Sequence, residues 1–323
     1  MKQSRKPITI IAIGLVVIGI LLAAIGSFAG AKFSIINTDN GLKAISKDDR
    51  KNEEISLKEF KNVKVDLYDA DIEIIPSNEF KLKIERLEGT KITHAVENDT
   101  LIIKDDEHDS GLKFAMNFAV NIQNTSIKIY IPKDAKFLDV SIISKFGDIQ
   151  LDGMATNKLN IHSNDGDVTI NDIQSNELAV ENGYGDITGT KVKTNELTIE
   201  MNDGDAVLSS IDAAKTVLKN QYGDISLHDF TSQEGKLEST DGDIEIDGEL
   251  LGQTIIDSSF GDIYLALSNK ESELSYNIQA DFGDISVNGS PVESKAVKSA
   301  NTGHKLDITS NDGDVEVTFK QSK

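Results

Sequence analysis

The chain has 323 residues, a net charge of −21, no Cys and no Trp. Without Cys there is no disulfide framework, no thiolate metal ligand, no thiol nucleophile and no lipoprotein attachment. The first 31 residues carry three basic side chains (Lys2, Arg5, Lys6) and no acidic ones, so the remainder holds 30 basic and 54 acidic residues, a net of −24. A body this acidic repels nucleic acid, anionic headgroups and anionic wall polymers, and it attracts cations or basic partners.

Residues 8–28 contain no charge. About 20 such residues in a helix span a bilayer core. The basic tip before them places the N-terminus in the cytoplasm and everything from about Lys32 outside. The expectation is therefore a basic tip and transmembrane anchor over 1–31 and a cell-membrane location with the body extracellular. A cleaved signal peptide is the competing reading, with Ala29 and Ala31 forming a weak cleavage site; the apolar stretch is longer than a signal core requires. Residues 32–54 are polar and aperiodic and read as a linker.

Residues 55–145 are rich in strand patterns. Leu67–Pro76 resembles one unit of the repeat described next, with Ala70-Asp71-Ile72 in place of Gly-Asp-Ile. Val96–Ile103 reads as strand, turn, strand, and Ser126–Ile131 alternates cleanly before Pro132. Gly111–Gln123 is unusually apolar and reads as a hairpin in the core or cap. The whole region is expected to cap the edge of a repeat domain, because open strand edges invite aggregation.

From residue 146 onward a repeat dominates. Gly147, Gly166, Gly185, Gly204, Gly223, Gly242 and Gly261 follow one another at 19 residues, each before an Asp; Gly283 and Gly313 continue at spacings of 22 and 30. Aliphatic residues recur two and four positions after the glycines (Ile225 and Leu227, for example; Gly189 is the exception) and fourteen after them (Ile161, Val180, Ile199, Leu218, Leu237, Ile256). The positions between are mostly polar. Ile278 and Ile308 keep the last column if the longer spacings are insertions in loops. Alternation on a fixed period means stacked strands around one apolar column. The expected fold is all-β, a parallel β-solenoid of 19-residue units over 146–323, after one N-terminal transmembrane helix. Each Gly-Asp is a tight turn, with glycine taking a positive φ and aspartate accepting from nearby backbone N–H groups.

The residue before each glycine alternates: Phe146, Asp165, Tyr184, Asp203, Tyr222, Asp241, Phe260. Two arrangements fit. A 38-residue superperiod would put successive units on opposite sides, stacking aromatics on one and aspartates on the other. Alternatively, neighbouring units alternate ring and charge within one column.

These Gly-Asp turns, with the SIKIYIPKDAKFLDVSIISKFGDIQLDG stretch leading into them, resemble the bacterial "putative adhesin" domain-of-unknown-function family over roughly residues 55–320. With the basic, apolar N-terminus, the chain is similar to LiaG-like membrane-anchored proteins of the cell envelope. The resemblance implies a β-solenoid-like fold and an envelope-stress role. It supplies no active site.

Little in the sequence carries chemistry. His94, His108, His162, His228 and His304 are scattered, and neither a nucleophile elbow nor a phosphate loop occurs. The four Asp-Gly-Asp turns (Asp165 and Asp167, Asp203 and Asp205, Asp241 and Asp243, Asp312 and Asp314) are candidates for Ca²⁺, a cation that takes carboxylate oxygens. The leading expectation is a non-enzymatic scaffold, accessory sensor or adhesive surface acting through its strand faces and the loop Gly289–His304, with an unidentified protein or envelope partner, no nucleic acid and no cofactor. The alternatives are a calcium-binding adhesin and a polysaccharide-acting β-helix enzyme.

Overall fold

A computed structural model describes residues 6–28, 34–38, 41–45, 50–87, 90–105, 116–117 and 125–320. The chain divides into two units.

The smaller unit contains the helix α1 (Lys6–Phe28) and a three-stranded antiparallel sheet. Gly41–Ile45 pairs with Ser34–Thr38, which pairs in turn with Met116–Asn117. The segment read as a linker therefore holds two strands, and a third, Arg50–Ser56, begins within it. Their short alternation (Ile35, Leu42, Ala44) was too brief to register as a period. Apart from Met116–Asn117, the apolar stretch Gly111–Gln123 lies outside the described residues. The helix backbone runs 23 residues; side chains are described over 11–26, where they are exposed, and among the described residues no helix is long and apolar enough to cross a membrane.

The larger unit is the repeat domain. Five strands of 17 residues, Ile149–Asp165, Ile187–Asp203, Ala206–Tyr222, Ile225–Asp241 and Ile244–Phe260, form its middle. With Val168–Gln174 and Glu177–Tyr184 as the rung between the first two, they stack parallel at an offset of 19, which slips to 18 where Phe230–Ser232 face Gly248–Leu250; one repeat is one rung, and Ile187 faces Ala206, which faces Ile225, which faces Ile244. The aliphatic columns are fully buried along the axis, with Ile225, Leu227 and Leu237 at 0 % exposure. Each rung supplies only a few apolar side chains, and the core closes because the next rung covers them.

The rungs of Gly147, Gly166, Gly185, Gly204 and Gly223 turn at Gly-Asp and again six residues after the glycine. At that second corner Gly153, Asp172, Lys191, Ser210 and Asp229 all have φ near +50° to +57°. Four of the five are not glycine, so composition gave no sign of a left-handed corner there.

Both ends of the domain are out of chain order. Asn62–Asp69 and Asp71–Ser77 form a rung beside Lys136–Phe146 and Ile149–Leu151. Thr100–Asp105 and Ser126–Pro132, later in sequence, lie on its outer side. At the other end Lys305–Asp312 and Val315–Phe319, last in sequence, are inserted against Gln253–Phe260 and Ile263–Leu267. The earlier Ser275–Phe282 and Ile285–Val287 pair outside them. Each outermost rung is then closed by antiparallel strands: Lys81–Leu87 on Ser126–Tyr130 at one end, Ser290–Val292 and Lys295–Lys298 at the other. The segment expected as the loop Gly289–His304 thus contains two edge strands. Val96–Ile103 forms the hairpin its pattern predicts, turning on Asn98 and Asp99 at φ 49° and 59°, the left-handed pair of a tight hairpin turn.

Candidate functional site

The turn glycines stack on one another. Gly223 has φ +119°, and a Cβ there would lie 2.2 Å from the carbonyl oxygen of Gly204 one rung below. Gly147, Gly166, Gly185, Gly204, Gly242, Gly261, Gly283 and Gly313 show the same approach to the preceding rung. Glycine is required here both by φ and by the closeness of the rungs.

The aspartates that follow form a second ladder. The Asp167 N–H donates to Asp148 Oδ1 at 3.0 Å, Asp186 to Asp167, Asp205 to Asp186 and Asp224 to Asp205 at 2.9 Å, and Asp243 to Asp224 at 2.8 Å. The run continues through Asp262 and Asp314 to Asp284. Each carboxylate accepts across to the next rung instead of within its own turn. One oxygen of the Ca²⁺ candidates Asp167, Asp205, Asp243 and Asp314 is therefore committed to the backbone. Among the described residues no three His, Asp or Glu side chains converge as a metal site. Near the end of this ladder Tyr264 donates to Asp262 Oδ2 at 2.8 Å. That bond, with burial and the charges of Asp262, Asp243 and Asp314, pushes its phenol up to about 12.

The remaining candidates, Asp165, Asp203, Asp241 and Asp312, occupy the column just before the glycines. In space that column reads Asp69, Phe146, Asp165, Tyr184, Asp203, Tyr222, Asp241, Phe260, Asp312, Phe282. Ring and carboxylate alternate without exception. The arrangement that stacks aromatics on one side and aspartates on the other is therefore wrong: Tyr184 and Tyr222 are separated by Asp203. In chain order Phe260 is followed by Phe282 and then Asp312, which breaks the alternation; the inserted last rung restores it. The physical reason is that aspartates one rung apart, about 4.8 Å, would repel along the whole column, and an intervening ring doubles their separation.

Three residues before each glycine the side chain points inward and is usually Ser or Asn. Ser144, Ser163, Asn182, Asn220, Ser239, Ser258 and Ser310 are all buried. Asn182 Nδ2 donates to the carbonyls of Gly166 and Gly185, and Asn220 Nδ2 to those of Gly204 and Gly223, each tying two rungs together. Ser239 and Ser310 cap the glycine carbonyl of their own turn.

Outside this buried row lies a groove of about 800 Å³ that runs from His162 to Asn311 across successive rungs. Two outward columns line it. One is ionic: His162, Glu181, Glu200, Lys219, Glu238 and Asp257. The other is amide and hydroxyl: Asn164, Asn202, Gln221, Thr240, Ser259 and Asn311, interrupted at Gly183. Within the ionic column His162 Nδ1 lies 3.0 Å from Glu181 Oε2, and Lys219 Nζ 3.1 Å from Glu200 Oε1. Tyr184 reaches the groove, and Tyr222 and Phe260 directly follow the lining residues Gln221 and Ser259. The groove was missed in the sequence although its signal was present, as polar side chains four and two positions before the turn glycines from Gly166 onward, with Gly183 the exception. Of the other histidines, His304 Nδ1 accepts from the Gly252 N–H, His94 and His228 lie in strands, and His108 lies outside the described residues.

With this geometry established, comparison decides the family. A family model described as "Toastrack DUF4097" matches residues 60–318. The chain belongs to the Toastrack DUF4097 family. No curated protein matches it. Among solved structures it is similar to a "putative lipid binding protein" of Parabacteroides distasonis ATCC 8503, at 12 % identity and a TM-score of 0.49, over 84 % of this chain and 98 % of that one. It is also similar to a "putative adhesin" of the same organism, at 12 % identity and 0.42 over 83 % and 97 %. A third is a "putative adhesin" of Bacteroides fragilis NCTC 9343, at 13 % and 0.36 over 85 % and 98 %. At these values the likenesses carry no functional argument; the family rests on the 60–318 match.

Proposed function

We propose that this Toastrack chain is a non-enzymatic, membrane-tethered binding surface of the cell envelope, on which an extended ligand lies along the solenoid. The observation that carries the reading is the groove, because its lining repeats: the same two polar columns recur on rung after rung from His162 to Asn311. Catalysis needs one unique constellation of groups. A repeated lining instead offers equal contacts along a polymer or a long partner segment. The proposed tether rests on the sequence alone: residues 8–28 carry no charge, about the number of apolar residues a bilayer core takes, and Lys2, Arg5 and Lys6 would lie on the cytoplasmic side.

Two measurements test this. Impermeant amine labelling of intact cells should modify lysines of the repeat domain and spare Lys2 and Lys6; the reverse pattern would sink the topology. The full-length chain in detergent should retain envelope material. The double variant Asn202→Arg, Gln221→Arg, which fills the groove with two long side chains, should lose most of it. Undiminished retention by that variant would rule out the groove as the binding surface.

A further inference from the structure

The column of alternating rings and carboxylates suggests the chemistry of the ligand. Phe146, Tyr184, Tyr222, Phe260 and Phe282 are 41–73 % exposed, large apolar surfaces left in water on an otherwise acidic body. They stand two rungs apart, about 9.6 Å, too far to pack on one another, and the row runs roughly 38 Å from Phe146 to Phe282. Between them Asp165, Asp203, Asp241 and Asp312 are exposed, and among the described residues their carboxylates form no ion pair. Beside them run the amide and hydroxyl side chains of the groove, one on nearly every rung.

A ligand complementary to this strip repeats in two ways. It offers hydrogen-bonding groups at every rung, and at every second rung it presents an apolar face to a ring and a positive group to a carboxylate. A peptide strand repeats every two residues at about 6.6 Å and falls out of step. A polyproline helix returns every three residues at about 9.3 Å, close to the ring spacing, but nothing in a three-residue repeat matches the single-rung half-step. An extended β-linked glycan matches both. Each sugar is about one rung long, each carries hydroxyl groups, and successive sugars are turned over, so like faces recur every second unit. Sugar C–H faces stack on aromatic rings, and ammonium groups pair with the intervening aspartates. The net charge of the body favours a cationic chain over an anionic one.

We propose that the aromatic–aspartate strip and the adjoining groove bind an extended β-linked glycan whose sugars carry free amino groups. The inference rests on the reading of the groove as an extended binding surface and adds to it the ligand class.

The test uses the full-length chain in detergent and titration calorimetry with β-linked glucosamine oligomers of increasing length. The comparison probes are their N-acetylated counterparts, oligolysine of equal charge and a lysine-capped polyproline peptide. Affinity for the glucosamine oligomers should rise in steps of two sugars. Tyr222→Ala and Phe260→Ala, both at exposed positions, should each weaken it by about two- to tenfold, the contribution of one ring contact. Asp241→Asn should weaken the amino oligomers and leave the weaker N-acetylated ones unchanged. Circular dichroism checks that each variant is folded. Equal binding of oligolysine, with no effect of the ring variants, would reduce the strip to a generic acidic surface and overturn the proposal. Preferential binding of the polyproline peptide, or no binding of any oligomer, would also overturn it. If envelope material is still retained in a groove-dependent way while the glucosamine oligomers fail, the ligand class is wrong and the binding surface stands; if both fail, both readings fall.

Discussion

Replacing Gly223 by alanine isolates what holds the rungs together. The new Cβ would sit 2.2 Å from the Gly204 carbonyl oxygen, 2.7 Å from its carbon and 3.0 Å from Asp205 Oδ1, on a residue at φ +119°. Non-glycine backbone in that region costs about 1–3 kcal/mol. Relieving the contact forces the rungs apart, an overpacking cost of about 1–3 kcal/mol. The movement also strains the bond from Gly204 N–H to the Tyr222 carbonyl (3.0 Å) and that from Asp224 N–H to Asp205 Oδ1 (2.9 Å); losing one costs about 0.5–1.5 kcal/mol. The sum is about 2.5–7.5 kcal/mol. Gly289 provides the control: its φ is +71°, but nothing lies within 4 Å of its would-be Cβ. Gly289→Ala should cost only about 1–2 kcal/mol. Urea unfolding of the full-length chain, followed by its sheet signal, measures both. Amide exchange at Gly204 and Gly223 shows whether the loss is local. Equal shifts for the two variants would refute the claim that close approach of the rungs, rather than φ alone, fixes glycine in this column.

Asp224→Asn keeps an Oδ1 acceptor for the Asp243 N–H while removing a charge between Asp205 and Asp243. Like charges one rung apart repel by roughly 1 kcal/mol in water. The variant should therefore be neutral or stabilised at low salt, with the gain fading as salt rises, whereas Asp224→Ala should be destabilised; matching losses would mean the charge itself is needed. Lys191→Gly should stabilise by about 0.5 kcal/mol by relaxing a left-handed corner, and a lower unfolding midpoint would contradict the corner at φ +55°. The Tyr264 phenol should ionise near 12 in phenolate absorbance, and Asp262→Asn should bring it down. Because its folded value is raised, the stability it contributes is complete below about pH 10 and is lost between 10 and 12; ionisation at the ordinary value would remove the bond to Asp262.

Much of the rung was legible because its signals are local and periodic. Ile225, Leu227 and Leu237 sit where their spacing from Gly223 places them, and Ala70 marks a unit despite lacking the glycine. Three things were not legible. The corner at Asp172, Lys191, Ser210 and Asp229 is imposed by stacking on residues with no glycine signature. The buried row of Asn182, Asn220, Ser239 and Ser310 reads as solvated turn, because only the fold shows its amides and hydroxyls aimed at turn carbonyls. The spatial order at the ends depends on which edges meet after the rungs exist, and no local pattern records that. The alternation of Phe260, Phe282 and Asp312 held the clue: it fails along the chain and holds in space.

The inserted last rung also bears on how the molecule is made. A solenoid in chain order can add each rung to the one before as synthesis proceeds. Here Ser275–Phe282 finds its parallel partner only in Lys305–Asp312, and Gly313 fills the space between Gly261 and Gly283. Ser275–Val287 therefore cannot seat until Lys305–Phe319 have been synthesised, and the far edge stays open until then. A chain stopped some twenty residues early would lack an interior layer rather than an end, and would expose two raw faces at once. Presence of Lys305–Phe319 is thus a condition for closing the domain, which makes completion of the fold wait on the rung that is last in sequence.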